Sequence, residues 1–376
     1  MNIGVVSYWF NRGQATVGRR IVRALESDGH HAFVLARPPI ADSTSTRVLK
    51  EADSGTRGNV TYASSFSIPE DEYINWVREH ALDAVFFFQN YEFSKVERIR
   101  RLGVKTIGTF MWEDFHEGHV AATRKAYDTV YTLFQAHEDA MSRLGVKTER
   151  VRWSCDATDV GVGKESSQGK SAQVFGYLAG YSSQRKVTSL VIKAFNEARG
   201  AEQSLRVKSQ IPFNPFLLAY REQGRAHTLR NPVSVIKVAR EVLRGGSSIR
   251  WLNEDLDVDA YNEFLGQLDV VIAVSRWEGL NLNMYEALSM GIPQIQSRVS
   301  PMTEVIEHGY NGLLVDGQIV GYRGCAPIFE PDAESISRAI IESSDPRIWK
   351  DLREGSLISA RKLSSDITDD DLRRLL

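Results

Sequence analysis

Short, wholly apolar runs bounded by polar residues are the feature that most restricts this chain. Ala84-Val85-Phe86-Phe87-Phe88 stands between Asp83 and Gln89, and Val270-Val271-Ile272-Ala273-Val274 stands between Asp269 and Ser275. Neither run has a polar position to form the outer face of an amphipathic helix, and crossing a bilayer takes about 20 residues. They fit strands covered on both faces, the environment of a parallel sheet. Parallel neighbours need a crossover between them, normally a helix. The sequence supplies such crossovers throughout. Asn2–Tyr8 reads as a strand, and Val17, Ile21, Val22 and Leu25 follow at helical spacing up to a stop at Asp28-Gly29. His31–Ala36 is the next strand. Further strands are predicted at 83–89, 104–111, 129–134 and 148–153, with helices at 74–80, 93–102, 119–126 and 136–144.

The pattern then restarts. Strands are predicted at 173–178, 205–209, 249–252, 269–275, 293–297 and 312–315. Helices are predicted at 188–198, from Pro232 (capped by Asn231) to Leu243, and at 260–268, 282–290 and 302–308, with terminal helices from Ala333. Residues 37–61 and 159–171 are polar and rich in Gly or Ser, and the second stretch reads as an interdomain linker. A chain of 376 residues exceeds what one core usually supports. The expected plan is α/β: two Rossmann-like, doubly wound domains at 1–160 and 161–350, with residues 351–376 as terminal helices able to pack back on the first domain.

Charge and cysteine content exclude several classes. The 46 Lys plus Arg nearly balance the 48 Asp plus Glu, so no broad basic surface for nucleic acid is expected. Cys155 and Cys325, the 2 cysteines, lie far apart, which argues against a disulfide framework or zinc site and for a reducing cytoplasm. The N-terminus lacks a basic segment followed by a long apolar one, so no signal peptide is expected.

One stretch concentrates the chemistry. Ser275-Arg276-Trp277-Glu278-Gly279-Leu280-Asn281-Leu282-Asn283-Met284-Tyr285-Glu286-Ala287 joins a buried strand to a helix and continues to Gly291 and Pro293. Ligands of open parallel sheets bind at the carboxyl ends of strands, where this loop falls. Backbone N–H groups at a helix start favour an anion, so residues 279–283 suit a phosphate or a sugar hydroxyl. Glu278 and Glu286 are placed to accept paired hydroxyl hydrogen bonds from a polyol and a ribose diol.

Two glutamates separated by seven residues, followed by Ala287, Gly291 and Pro293, resemble the signature of the retaining glycosyltransferases of family 4, which have the GT-B fold. The strand before the motif and Glu304-x4-Gly309-x2-Gly312-x2-Val315 after it extend the resemblance. Gly13, Gly29-His30 and Asp156 carry it through the N-terminal half. The resemblance implies two domains facing across a cleft, and metal-independent transfer of a sugar from a nucleotide sugar, UDP favoured, to an acceptor hydroxyl. It implies no cofactor. The acceptor would be a glycan, a lipid-linked molecule or a small molecule. By the same resemblance Glu286 holds the ribose, and Glu278 the donor sugar with the N–H groups of Gly279, Leu280 and Asn281. Lys186 fits the family's diphosphate-binding lysine, while Tyr177 stands where an arginine is usual and Arg185 supplies the missing charge. No carboxylate stands as a nucleophile, so front-face displacement is the implied route to retention.

Gly13 would allow close backbone approach to the donor phosphates or the acceptor. Trp112, Glu113 and His116 follow a strand end and are the acceptor-side candidates. His116-x-x-His119 lacks a third ligand, and Asp255-x-Asp257 reads as a helix cap, so no metal is expected. Arg19, Arg20 and Arg23 share one helix. Contact with an anionic membrane would place the protein peripherally at its inner face, but a solvated helix face is the preferred reading. Two rival functions are a sugar-nucleotide epimerase or hydrolase, and a non-catalytic nucleotide-sugar-binding scaffold.

Overall fold

The computed structural model describes residues 1–9, 13–38, 59–156, 174–180, 185–209, 219–222, 225–228, 232–252 and 256–376. The chain forms two compact units, Met1–Trp153 with Asp366–Leu376, and Ser154–Ser365.

In the first unit, β1 (Asn2–Tyr8), β2 (His31–Arg37), β3 (Val60–Tyr62), β4 (Ala84–Phe88), β5 (Lys105–Thr109), β6 (Thr129–Thr132) and β7 (Glu149–Arg150) make one sheet in the order 3-2-1-4-5-6-7. Every pairing in it is parallel. The crossovers carry α1 (Gly13–Ser27), α2 (Glu70–Glu79), α3 (Phe93–Arg100), α4 (Val120–Ala126) and α5 (Gln135–Arg143). All five apolar residues of β4 are buried, as strands covered on both faces require. Strand order reverses between β1 and β4.

The second unit repeats the plan. Its main sheet contains β8 (Val174–Gly180), β9 (Ser204–Ser209), β12 (Ile249–Leu252), β13 (Val270–Ile272), β14 (Gln294–Ser297) and β15 (Leu313–Val315), in the parallel order 12-9-8-13-14-15. Two antiparallel hairpins stand outside it, β10 (Ala219–Glu222) with β11 (Arg225–Thr228), and β16 (Gly317–Arg323) with β17 (Ala326–Pro331). The helices are α6 (Thr188–Ala198), α7 (Pro232–Gly245), α8 (Val258–Gly266), α9 (Leu282–Ser289), α10 (Ala333–Ser343) and α11 (Pro346–Lys362). One face of the sheet buries Phe175, Val207, Ile272 and Ile295 against Phe195 and Ile340; the other buries Leu178, Val271 and Ala273 against Leu265 and Ala287.

Several expectations need correction. Both hairpins are additional to the predicted elements, because their turns interrupt stretches too polar to score as buried strands. The helix predicted at 302–308 is a single tight turn, Met302–Glu304. The Asn311 side chain accepts from Glu307 N at 2.8 Å and donates to Val305 O at 2.9 Å, taking backbone groups that a longer helix would use. The strand predicted at 148–153 shrinks to Glu149–Arg150. Arg20 does not sit on a solvated face. It is buried, with its guanidinium 5.0 Å over the Trp153 ring and 4.0 Å from Asp369. The burial is explained by α12 (Ser365–Arg373), where Asp371 accepts from Arg152 N at 2.7 Å and Thr368 donates to Arg152 O at 2.9 Å.

The change of unit falls at Trp153/Ser154. Of residues 351–376, those from Asp366 join the first unit, while α11 stays with the second. The stretch 159–171, Asn231 and Asp255 lie outside the described residues. Asp257 caps α8, its Oδ1 accepting from Ala260 N at 2.8 Å. Among the described residues no helix is long and apolar enough to cross a membrane.

Candidate active site

The second sheet reverses its strand order between β8 and β13, so the loops leaving their carboxyl ends lie side by side. Arg185-Lys186 follows β8 and Ser275–Glu278 follows β13. The two loops are joined: Lys186 and Ser275 form an antiparallel bridge, and Arg276 N donates to Arg185 O at 2.8 Å. From the other side, Ser297 Oγ at the end of β14 accepts from Ser275 N at 3.0 Å and donates to Ser275 O at 2.7 Å.

This backbone brings three charges together. Lys186 Nζ donates to Glu278 Oε1 at 2.6 Å, and Arg185 Nη1 lies 3.4 Å from Oε2. The Lys186 and Glu278 side chains are only 3% and 5% exposed, and that of Arg185 is 27% exposed. Burial pushes the Glu278 carboxyl up, but Arg185 and Lys186 outweigh it and hold the group below the ordinary carboxylate range. Burial also holds the Lys186 ammonium below its ordinary value, against the pull of Glu278. Two cations around one carboxylate leave a net positive charge, which suits an anionic ligand.

Glu286 is held separately. Tyr261 of α8 donates to Glu286 Oε2 at 3.0 Å, and its hydroxyl lies 3.1 Å from Asn283 Oδ1. Burial and the neighbouring Glu286 together push the Tyr261 phenol well above its ordinary value, so it remains a donor. Tyr261 has no place in the sequence motif, and only the packing of α8 beside α9 reveals it. Gly279 and Leu280 are buried, and Asn281 takes a left-handed backbone, φ 59 and ψ 62, just before α9.

The unpredicted hairpin braces the same loop. Phe329 N of β17 donates to Arg276 O at 2.7 Å, Glu330 pairs with Arg276 at 2.9 Å, and Arg323 lies 5.6 Å over the Trp277 ring. The sequence signal was Arg323-Gly324 between Ile319-Val320 and Ile328-Phe329, with Gly324 at φ 54 in the turn.

The remaining candidates lie in the first unit. Gly13 is the exposed first residue of α1. Trp112 is a buried residue packed edge-on to Phe134 at 5.0 Å, and Glu113 is half-buried. His116 caps the tight turn Glu117–His119, its Nδ1 accepting from Gly118 N at 3.2 Å, and its ring lies 3.8 Å from that of His119. At the carboxyl ends of β2 and β4 there is a network the sequence did not announce. Glu92 accepts from Arg37 at 2.6 Å, Lys95 at 2.6 Å, Ser67 at 2.7 Å and Tyr73 at 3.0 Å. Among the described residues no group of three His, Cys, Asp or Glu is placed to hold a metal ion.

Two Rossmann-like units, the second with a cationic, carboxylate-bearing loop pair at its switch point, are the features to set against known proteins. Residues 232–323, which contain Glu278, Asn281 and Glu286, match the family described as glycosyl transferases group 1. The chain is similar in structure to sucrose-phosphate synthase from Thermosynechococcus elongatus, with TM-score 0.73 and 12% identity, covering 100% of this chain and 98% of that one. It is also similar to HepE of Anabaena in complex with UDP and glucose, with TM-score 0.72, 14% identity and coverage of 100% and 98%. The pneumococcal O-GlcNAc transferase GtfA in complex with UDP and GlcNAc gives 0.67, 10%, 100% and 97%. No curated protein sequence matches the chain. At these identities the structural likeness establishes the GT-B fold; with the group 1 match it supports a glycosyltransferase.

Proposed function

We propose that the protein transfers a sugar from a UDP-sugar to an acceptor hydroxyl with retention of anomeric configuration and without a metal. The observation that carries this reading is the buried Lys186–Glu278–Arg185 cluster at the switch point of the second sheet. In the proposed reaction the bond from the anomeric carbon to the diphosphate oxygen breaks as the bond to the acceptor oxygen forms. The acceptor proton passes to the departing diphosphate. Arg185, Lys186 and the start of α9 stabilise the charge growing on that leaving group. Glu278 keeps lone pairs beyond those engaged by its two cations and accepts hydroxyls of the donor sugar. Glu286, oriented by Tyr261, accepts the ribose diol. The acceptor is a glycan, a lipid-linked molecule or a small molecule, and Gly13, Trp112, Glu113 and His116 remain its proposed neighbours. The UDP bound in the HepE and GtfA structures supports UDP as the nucleotide.

A thermal-shift panel of UDP, GDP, ADP and their sugars tests the reading. A ligand present at about 100 times its Kd adds about 2.7 kcal/mol of stability. UDP and at least one UDP-sugar are expected to raise the melting temperature; a melt moved by none of the panel would sink the proposal. Tyr261→Phe is a finer test. Losing one hydroxyl costs about 1 kcal/mol of stability, whereas UDP affinity is expected to fall roughly three- to tenfold as Glu286 loses its orientation. An unchanged Kd for UDP, measured by calorimetric titration, would remove Glu286 from the ribose.

A further inference from the structure

A buried parallel strand ordinarily reads as continuous apolar residues, yet β14 reads Gln294-Ile295-Gln296-Ser297. Gln294 and Gln296 are 1% and 0% exposed, and burying a carboxamide is costly unless it is hydrogen-bonded. Both are bonded, in one line. Gln294 Nε2 donates to Met284 O at 2.8 Å, Gln296 Nε2 donates to Gln294 Oε1 at 2.9 Å, and Asn281 Nδ2 donates to Gln296 Oε1 at 3.1 Å. The Met284 carbonyl can only accept, so the direction of every amide in the relay is set from that end.

The relay ends on a residue in an uncommon conformation. Asn281 is one of the non-glycine residues with positive φ, and it stands at the cap position of α9. An asparagine there normally turns its side chain onto the first N–H groups of the helix. Asn281 makes no such capping bond, because its amide is committed inward to Gln296.

We propose that Gln294 and Gln296 are positioning residues. Their amide relay holds Asn281 in the left-handed conformation and away from the helix start, so the N–H groups there stay aimed at the donor. This rests on the reading of that helix start as the UDP-sugar site. A test by calorimetric titration of UDP separates the two. Wild type is expected to bind; if it does not, the donor reading fails and the relay has nothing to position. Gln296→Leu, which breaks the relay, is expected to weaken UDP about tenfold. Adding Asn281→Gly to Gln296→Leu is expected to regain most of that loss, because glycine adopts positive φ without a tether. In the intact relay, Asn281→Gly is expected to bind UDP more tightly than Asn281→Ala, a comparison that stands even if Gln296→Leu does not fold. Unchanged affinity in Gln296→Leu, no recovery in the double variant, or equal affinities for the glycine and alanine variants would each overturn the relay's role.

Discussion

Lys186→Met is expected to lower stability by about 3 kcal/mol and to slow UDP release from a UDP-sugar by roughly 10²–10³-fold. The stability loss follows from burial. Lys186 and Glu278 are almost fully enclosed and 2.6 Å apart, and removing one member of such a pair leaves a charge with neither water nor a full partner. The figure sits at the lower end of the range for broken buried pairs because Arg185 remains 3.4 Å from the other oxygen. In the proposed reaction the rate loss has a separate origin, the absence of one of the two cations assigned to the leaving diphosphate. The double change Lys186→Met with Glu278→Gln separates the two effects. It removes both charges and is expected to recover most of the stability, measured by urea denaturation, while UDP release stays slow. A Lys186→Met protein that releases UDP within twofold of the wild-type rate would end the assignment of Lys186 to the leaving group.

The second large effect concerns pH and the first unit. His137 is buried in α5, its Nε2 has no hydrogen-bond partner among the described residues, and burial pushes its imidazole down to about 3. Its ordinary value is 6.5. A folded value below the unfolded one means that the unfolded chain takes up a proton the folded chain refuses. Stability is therefore undiminished by this group above pH 6.5 and falls as pH drops toward 3. At about 1.4 kcal/mol per unit, roughly 3 kcal/mol is lost between pH 7.5 and 4.5, most of it below pH 6.5. His137→Phe keeps an aromatic ring beside Phe134, 5.3 Å away in the native protein, and carries no proton. The variant is expected to lose about 3 kcal/mol less than wild type between pH 7.5 and 4.5 in urea melts. Equal losses would show that His137 does not titrate with folding.

Local pattern carried much of this protein. The apolar runs at 84–88 and 270–274 announced buried parallel strands, and both occupy positions in the middle of their sheets. The sequence placed Glu278 after one strand of the second unit and Arg185-Lys186 after another, and the structure brings these three charges together. What could not be read was how these groups are joined. The hairpin β16–β17 was hidden because its first strand is exposed on both faces and has no core-facing alternation. Arg20 was read as solvated because the segment that covers it lies more than 300 residues further along the chain. Residues 293–297 read as a strand in the sequence, and nothing in that reading placed the amides of Gln294 and Gln296 in line with Asn281.

The sequence by itself determined most of the elements of the two main sheets and the doubling of the α/β plan. Helix and strand periods, caps and turns depend on neighbours a few positions away. Only the tertiary structure decided that β8 lies beside β13, which sets Lys186 against Glu278 across 92 residues of sequence. That pairing in turn sets the charge state of both groups. Charges and amides differ little when each is solvated. Inside the protein, where water is excluded, the partner at 3 Å sets the charge state, the orientation and the cost of losing it.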